Sequence, residues 1–161
     1  MDGMTAPLLV FAWGNRSRGD DALGPMFVDR LRAMVRSEPW AEEGKVEFLE
    51  DFQLQIEHAL DLAGRRQVLF VDASRNCRAP FEVRALRPAR DESFTSHAMS
   101  PESVMQVFRD VHHAEPPPCA LLAIQGENFG LGEPLGASAS VHLDRALRWG
   151  KRWLAVHGTQ A

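Results

Sequence analysis

The sequence predicts an α/β fold built on a mostly parallel sheet with one antiparallel strand, and three features carry this prediction. Short apolar runs that could be buried on both faces alternate with amphipathic helical stretches. The first junction is a strand, a glycine turn and a helix, the usual opening of an α/β domain. A later junction, residues 73–80, contains no helix and is too short for a parallel crossover, so the next strand should run antiparallel to the preceding one.

The predicted strands differ in how deeply they should be buried. They are residues 7–13, 46–50, 67–72, 81–86 and 120–124. The first and third are continuous apolar runs, as expected of strands covered on both faces.

After the antiparallel fourth strand, residues 87–99 have to return to the opposite edge of the sheet. This return delivers His97 to the carboxyl ends of the parallel strands, where α/β sheets place their ligands.

The predicted helices have recognisable ends. They are an amphipathic helix from Leu23 to Val35 that Pro39 ends, and helices at residues 55–62, 101–111 and 140–157. Ser100 and Pro101 are a strong start signal for the third, with serine as the cap and proline at the first helical position. We expect that helix to bury Val111 with the apolar residues of its earlier turns.

Length, charge and cysteine content limit the possible classes of protein. The 161 residues suit a single domain, expected over residues 1–161, and the hydrophobic share of 45% is that of an ordinary globular chain. A formal net charge of −4 argues against nucleic acid as a partner, because phosphate neutralisation needs clustered Lys and Arg. Cys77 and Cys119 are far apart, which fits a reducing cytoplasm. Without a secretory signal or an apolar run of the ~20 residues that a membrane span needs, a cytoplasmic location is expected.

Three acidic or imidazole positions should meet at one edge of this sheet. Asp20 and Asp21 follow the first strand, where a phosphate-binding loop would present backbone amides or a lysine. Asp72 ends the third strand, and His97 precedes a helix. Two carboxylates and an imidazole form a plausible open site for a borderline divalent ion, with positions left for substrate or water.

Each of these residues also has a purely structural interpretation. An aspartate at a helix start commonly caps the helix or complements its dipole, which applies equally to Asp20 and Asp21. An aspartate such as Asp72, at the end of a buried strand, often accepts hydrogen bonds from loop amides. A lone histidine before a helix is more often a surface residue than a ligand. The expected meeting point of the three positions, rather than their identity, favours a functional site.

Other candidates carry weaker signals. Cys77 lies in the loop beside the expected site and could act as a nucleophile with His97. His112 and His113 stand at a helix C-terminus, where partial positive charge favours the dipole and a structural role. The remaining helical histidines, His58, His142 and His157, have no partners at metal-binding spacing. Trp149 and Trp153, one turn apart on the last helix, are expected to form core or a packing surface.

The motifs around these acids resemble those of the hydrogenase maturation endopeptidases. The matching residues are Gly14, Asn15, Asp20, Asp21 and Gly24, on the pattern G-x-G-N-x-x-x-x-D-(D/E)-x-x-G, then Val71, Asp72 and Ala73, then Ser96 and His97. The first glycine of the pattern is replaced by Ala12, which is tolerable if that residue has ordinary strand dihedrals. The region from Phe52 to Leu62 resembles the variant found with NAD-linked hydrogenases.

This resemblance implies a fold and an activity. The fold would be a three-layer α/β/α arrangement of the phosphorylase/hydrolase-like type, with a five-stranded mixed sheet. The activity would be removal of the C-terminal extension from the large-subunit precursor of a nickel-iron hydrogenase once nickel is inserted. Carried over by position, Asp21, Asp72 and His97 would contact the metal, with Asp21 and Asp72 catalytic. Nickel would belong to the precursor rather than be a permanent cofactor, and the protease would act as a monomer.

The sequence is also compatible with other functions. A hydrolase with its own bound zinc is the nearest enzymatic alternative, and a non-proteolytic maturation chaperone for a metalloprotein is the best alternative of another class. Peptidyl-tRNA hydrolases also have a Gly-Asn after their first strand, but the Thr-Arg-His-Asn run and basic groove expected of them are not found in this sequence. The Asp20–Asp21 pair and the lack of a G-x-G-x-x-G motif disfavour a nucleotide-binding module.

Overall fold

Five strands form one mixed sheet in the order β2-β1-β3-β5-β4 in the computed structural model, which describes residues 5–91 and 99–159. The strands are β1 (Leu8–Trp13), β2 (Val46–Asp51), β3 (Gln67–Ser74), β4 (Phe81–Ala85) and β5 (Cys119–Gln125). All five predicted strands are present, with ends within two residues of those expected. The α/β prediction with a mixed sheet is therefore confirmed.

The direction of β4 is as predicted, whereas its neighbour in the sheet is not β3. β3 pairs with β5 in parallel, and β4 pairs with β5 antiparallel, so β4 runs opposite to β3 with one strand between them. The connection, observed at residues 75–80, passes β5 to reach the next position in the sheet, a displacement of roughly 10 Å between strands two positions apart. β4 is thereby the outer strand, which fits its largely exposed residues.

Helices cover both faces of the sheet. The α-helices are α1 (Leu23–Val35), α2 (Pro39–Glu42), α3 (Pro101–His112) and α4 (Ala137–Gly158), and 3-10 helices occupy Gly19–Ala22 and Ile56–Leu62. Pro39 was expected only to end α1, and it instead takes the first position of α2, where a proline fits well. Ser100 accepts a hydrogen bond from the Ser103 N–H and caps α3, as predicted.

The alternation of side chains along the central strands creates two apolar cores. Leu8 and Val10 of β1 point to the face covered by α1 and α4. Leu9 and Phe11 point to the opposite face, covered by α3 and the 3-10 helix Ile56–Leu62. Burial of β1 on both faces is what its continuous apolar run predicts. The sheet is thus the middle of three layers.

Val111 is the one apolar residue of α3 for which the burial prediction is wrong. Val104, Met105 and Phe108 are buried against the sheet, whereas Val111 is 60% exposed. Residues 110–115 are all exposed, so the end of α3 extends beyond the layer that covers its earlier turns. Periodicity alone could not show where that layer stops.

No helix in the described ranges, residues 5–91 and 99–159, combines the length and the apolar character needed to cross a membrane.

Candidate functional site

The turn after β1 is shaped by two glycines that hold it close to the sheet. Gly14 has φ +148°, and a Cβ at that position would lie 2.1 Å from the Asp21 carbonyl oxygen. A Cβ on Gly24 would lie 2.7 Å from the Trp13 carbonyl oxygen and 3.1 Å from that of Val71. The start of α1 therefore packs directly on the carboxyl ends of β1 and β3, which are adjacent parallel strands. This close approach gives the glycines of the first motif a physical role.

Asp20 is buried, and its carboxylate holds a distant loop. The side chain is 2% exposed and accepts hydrogen bonds from the N–H groups of Glu127 (2.8 Å), Asn128 (3.1 Å) and Gly136 (2.8 Å). Burial alone would raise the pKa of this carboxyl, but the three donors outweigh it and hold the pKa below its usual value. With its oxygens so engaged, Asp20 anchors the loop between β5 and α4.

Asp21, the next residue, is left more accessible. It is partly buried, and its Oδ2 accepts a hydrogen bond of 2.7 Å from the Asn15 N–H. The structure records no such bond to its Oδ1 from the residues that it describes. Of the two consecutive aspartates, Asp21 is therefore the one whose carboxylate is available to a ligand.

Asp72 lies near the carboxyl end of β3, in the same part of the sheet as Asp21. Burial, and to a smaller extent the negative charge of Asp21, raise the pKa of Asp72, which lies at about 7. Two hydrogen-bond donors lower the pKa of Asp72. They are the Ala73 N–H, which donates to Asp72 Oδ1 at 2.8 Å, and the Trp13 indole. The two predicted carboxylates therefore interact, and Asp72 titrates near neutral pH, as general acids and bases do.

His97, the third predicted site residue, lies outside the described residues. The structure places both flanks of residues 92–98. Asp91 accepts hydrogen bonds from the Ser100 N–H (3.1 Å) and hydroxyl (2.6 Å), and the Met99 N–H donates to the Leu54 carbonyl at 3.4 Å. Leu54 follows β2, so the chain at Met99 lies beside the segment that follows β2.

No set of three or more His, Cys, Asp or Glu side chains within residues 5–91 and 99–159 is arranged to hold a metal ion. Asp21 and Asp72 thus form a pair that needs further ligands, from residues not described or from a bound molecule, before it could hold a cation.

A hydrogen-bonded pair that sequence reasoning missed lies beside the predicted site. His58 Nε2 lies 2.9 Å from Asp51 Oδ2, and its Nδ1 accepts a hydrogen bond of 2.8 Å from the Gln55 N–H. The Asp51 carbonyl also accepts from the Gly14 N–H at 3.2 Å. Both imidazole nitrogens are engaged, so His58 fixes the segment after β2 instead of offering a free ligand. The only sequence signal was a histidine three residues after a helix-capping position.

The Cys77 thiol is poorly suited to nucleophilic chemistry. Burial raises the pKa of Cys77, which disfavours the reactive thiolate. Its Sγ donates to the Ala123 carbonyl at 3.5 Å, a contact that holds the loop after β3 against β5.

His112, His113, Trp149 and Trp153 have contacts or positions that fit a structural role. His112 packs on Phe108 with ring centroids 4.3 Å apart, and His113 caps the C-terminus of α3 with φ 52°. Trp149 and Trp153 stack at 6.5 Å along α4 and form a packing surface.

Comparison with solved structures shows which proteins share this fold. The NiFe hydrogenase maturation protease HycI from Thermococcus kodakarensis superposes with a TM-score of 0.68 at 20% identity, over 93% of each chain. The hydrogenase maturating endopeptidase HybD from E. coli gives 0.68 at 21% identity, over 94% of this chain and 93% of that one. This chain has the hydrogenase maturation protease fold. A hydrogenase 2 maturation peptidase from a Thaumarchaeota archaeon matches with a TM-score of 0.64 at 21% identity, over 91% of this chain and 97% of its own.

Sequence comparison adds nothing to this likeness, since no protein-family model and no curated protein matches the chain. The maturation protease fold accounts for the three layers and the mixed sheet expected from the motifs. At these identities it is a likeness of fold, so the activity has to be argued from the site.

Proposed function

We propose that this protein is an endopeptidase that removes the C-terminal extension of a NiFe-hydrogenase large-subunit precursor after nickel has been inserted. The observation that carries the proposal is the pair formed by Asp21 and Asp72 at the carboxyl edge of the sheet, where the negative charge of one raises the pKa of the other. The shared fold and the motif residues around both acids support the same activity.

The pair is suited to recognise a cation that arrives with the substrate. Two carboxylates held close together repel each other, and a cation between them relieves the repulsion. Nickel bound in the precursor would supply that charge, with Asp21, Asp72 and His97 contacting it. A nickel-free precursor lacks this attraction, so the same site would also check that nickel insertion is complete.

The reaction needs a polarised carbonyl and an activated water. Nickel in the precursor would act as a template and a Lewis acid at the scissile bond. One of the two site carboxylates would serve as general base, take the proton from the attacking water and pass it to the leaving amine as the C–N bond breaks. Cys77 takes no part, because its thiol is protonated and hydrogen-bonded within the protein.

The decisive experiment is a digest of the large-subunit precursor in its nickel-loaded and nickel-free forms, followed by mass measurement of the product. We expect a shortened product from the nickel-loaded form only. Equal cleavage of both forms would refute nickel-dependent recognition. Equal cleavage of both forms, combined with stoichiometric zinc in the purified protein, would indicate a zinc hydrolase. Stable binding of the precursor with no change in its mass would indicate a maturation chaperone.

A further inference from the structure

Two arginines from different elements converge on one phenylalanine in the loop between β5 and α4. The guanidinium carbon of Arg75 lies 4.6 Å from the centroid of the Phe129 ring, a cation–π distance. Arg18 Nη1 lies 3.5 Å from the Phe129 carbonyl oxygen, to which it donates. We call Arg18 and Arg75 the arginine pair.

The arginine pair lies next to the two site carboxylates along the chain. Arg18 is three residues before Asp21, and Arg75 is three residues after Asp72. The loop that carries Phe129 is fixed to the same edge, because the Asp20 N–H donates to the Asn128 carbonyl at 2.8 Å and the Asp20 carboxylate accepts from the loop.

Phe129 itself packs toward the start of that loop. A Cβ on Gly126 would lie 3.2 Å from Phe129 Cζ and 2.8 Å from Asp20 Cβ, so the ring lies close over the backbone that Asp20 holds. Phe129 is partly buried, whereas Arg18 and Arg75 are exposed. The Phe129 ring thus supports the accessible guanidinium of Arg75, and the Phe129 backbone carbonyl accepts from that of Arg18.

Neither guanidinium is neutralised by a carboxylate among the residues that the structure describes. Arg16, by contrast, forms ion pairs with Asp29 and Glu50. Stacking on Phe129 uses the face of the Arg75 guanidinium and leaves its in-plane N–H donors free. Each arginine of the pair is three residues from a site carboxylate along the chain and still has guanidinium N–H groups to donate. Two such cations, in a chain of net charge −4, indicate an anionic partner.

We propose that the arginine pair binds a carboxylate side chain of the polypeptide substrate, next to the bond that is cleaved. The proposal rests on the proposed function and extends it to sequence preference. The planar, forked donors of a guanidinium match a carboxylate, which a lysine would bind only as a point charge. A long polyanion such as RNA is disfavoured by the net charge of −4 and by the two carboxylates, Asp21 and Asp72, that are each three residues from an arginine of the pair. The site would thus read a cation and an anion on one substrate.

The first test compares cleavage of the nickel-loaded precursor by variants of the arginine pair. In the double variant Arg18→Gln/Arg75→Gln, we expect KM to rise about 3- to 10-fold, with kcat nearly unchanged, because only exposed charge contacts are lost. Arg36→Gln is the matched control, since Arg36 is exposed just after α1, at the opposite end of that helix from Asp21. Arg75→Lys should show an intermediate KM. A KM equal to that of Arg36→Gln would overturn the proposal.

The second test does not depend on cleavage. A labelled decapeptide containing two adjacent glutamates, and the same peptide with glutamines, are titrated into the wild-type protein and the double variant. We expect the wild type alone to prefer the glutamate peptide, by about 3- to 10-fold, with the preference lost at high salt. Equal binding of both peptides by the wild type would refute the proposal that the arginine pair binds a carboxylate. A preference without cleavage of any precursor would refute the proposed function alone.

A thermal unfolding curve of each variant separates binding from folding. Phe129→Leu removes the aromatic support and keeps both charges, so it should weaken glutamate binding less than the double variant does. If the double variant unfolds at the wild-type temperature and still prefers the glutamate peptide, the arginines serve only to hold the loop and the proposal fails.

Discussion

Asp20 and the Asp21–Asp72 pair lie close together and put carboxylates to opposite uses. Asp20 is almost wholly buried, yet three backbone N–H groups keep it ionised, with a pKa below its usual value. Asp72 is partly buried with one close N–H donor and a neighbouring negative charge, and its pKa is about 7. At Asp20 three donors outweigh burial, whereas at Asp72 burial and the charge of Asp21 outweigh the donors, and this balance decides which acid is stably charged.

The difference separates an anchor from a reactive group. Asp20 gains its stabilisation from the folded protein itself, since its partners belong to the loop between β5 and α4. Asp21 and Asp72 are left with unfavourable mutual repulsion that only a proton or a cation can relieve. Functional sites commonly contain unfavourable interactions of this kind, which reduce the stability of the folded protein.

The largest expected effect is on cleavage by variants of the pair. Asp21→Asn and Asp72→Asn should each reduce kcat/KM for the nickel-loaded precursor by at least about 100-fold, because each removes charge that faces the reacting centre. His97→Ala belongs in the same series. Asp144→Asn, on the exposed surface of α4, is the control and should match the wild type. Full activity in Asp21→Asn would show that the pair is not the catalytic centre.

Asp20→Ala should instead reduce stability. It leaves three N–H groups without their acceptor, so we expect the free energy of unfolding to fall by about 3 kcal/mol. Urea denaturation followed by circular dichroism measures it, with Asp144→Ala as the control. Because the folded-state pKa of Asp20 is depressed, its contribution is present above the unfolded-state pKa and is lost as pH falls through the folded-state value. An unchanged midpoint at pH 7 would contradict the anchoring role.

Asp72→Asn should have the opposite effect on stability, and a smaller one. The folded-state pKa of Asp72 is raised to about 7, so ionisation destabilises the folded protein as pH rises from the unfolded-state value toward 7, and the cost is complete above it. Removing the charge should therefore increase the free energy of unfolding at pH 8 by about 2 kcal/mol, allowing for partial exposure. The gain should disappear below pH 4. A variant less stable than the wild type at pH 8 would contradict this interpretation.

The smallest effect is expected at Cys77. Cys77→Ser should leave kcat/KM within about twofold of the wild type, because the thiol serves to hold a loop. Assay of the same nickel-loaded precursor measures this. A loss comparable to that in Asp72→Asn would make the thiol the nucleophile and remove the pair from the centre of the mechanism.

Local signals were sufficient for much of the fold. Continuous apolar runs located β1 and β3, and the serine–proline start located α3. The short link after β3 gave the direction of β4 but not its neighbour, because a link of that length can reach either the next strand or the one beyond it. The end of the covering layer, which leaves Val111 exposed, depends on how elements are positioned in space.

By itself, the sequence determined that Asp21 and Asp72 would reach the same edge, because both follow parallel strands of one sheet. Only the tertiary structure decided that Asp20 is an anchor, since its donors lie more than 100 residues away along the chain. It also decided the Asp51–His58 contact and the meeting of Arg18 and Arg75 on Phe129. Residue spacing fixes which face or edge a group occupies, whereas the partners that set its charge come from distant segments that only folding brings together.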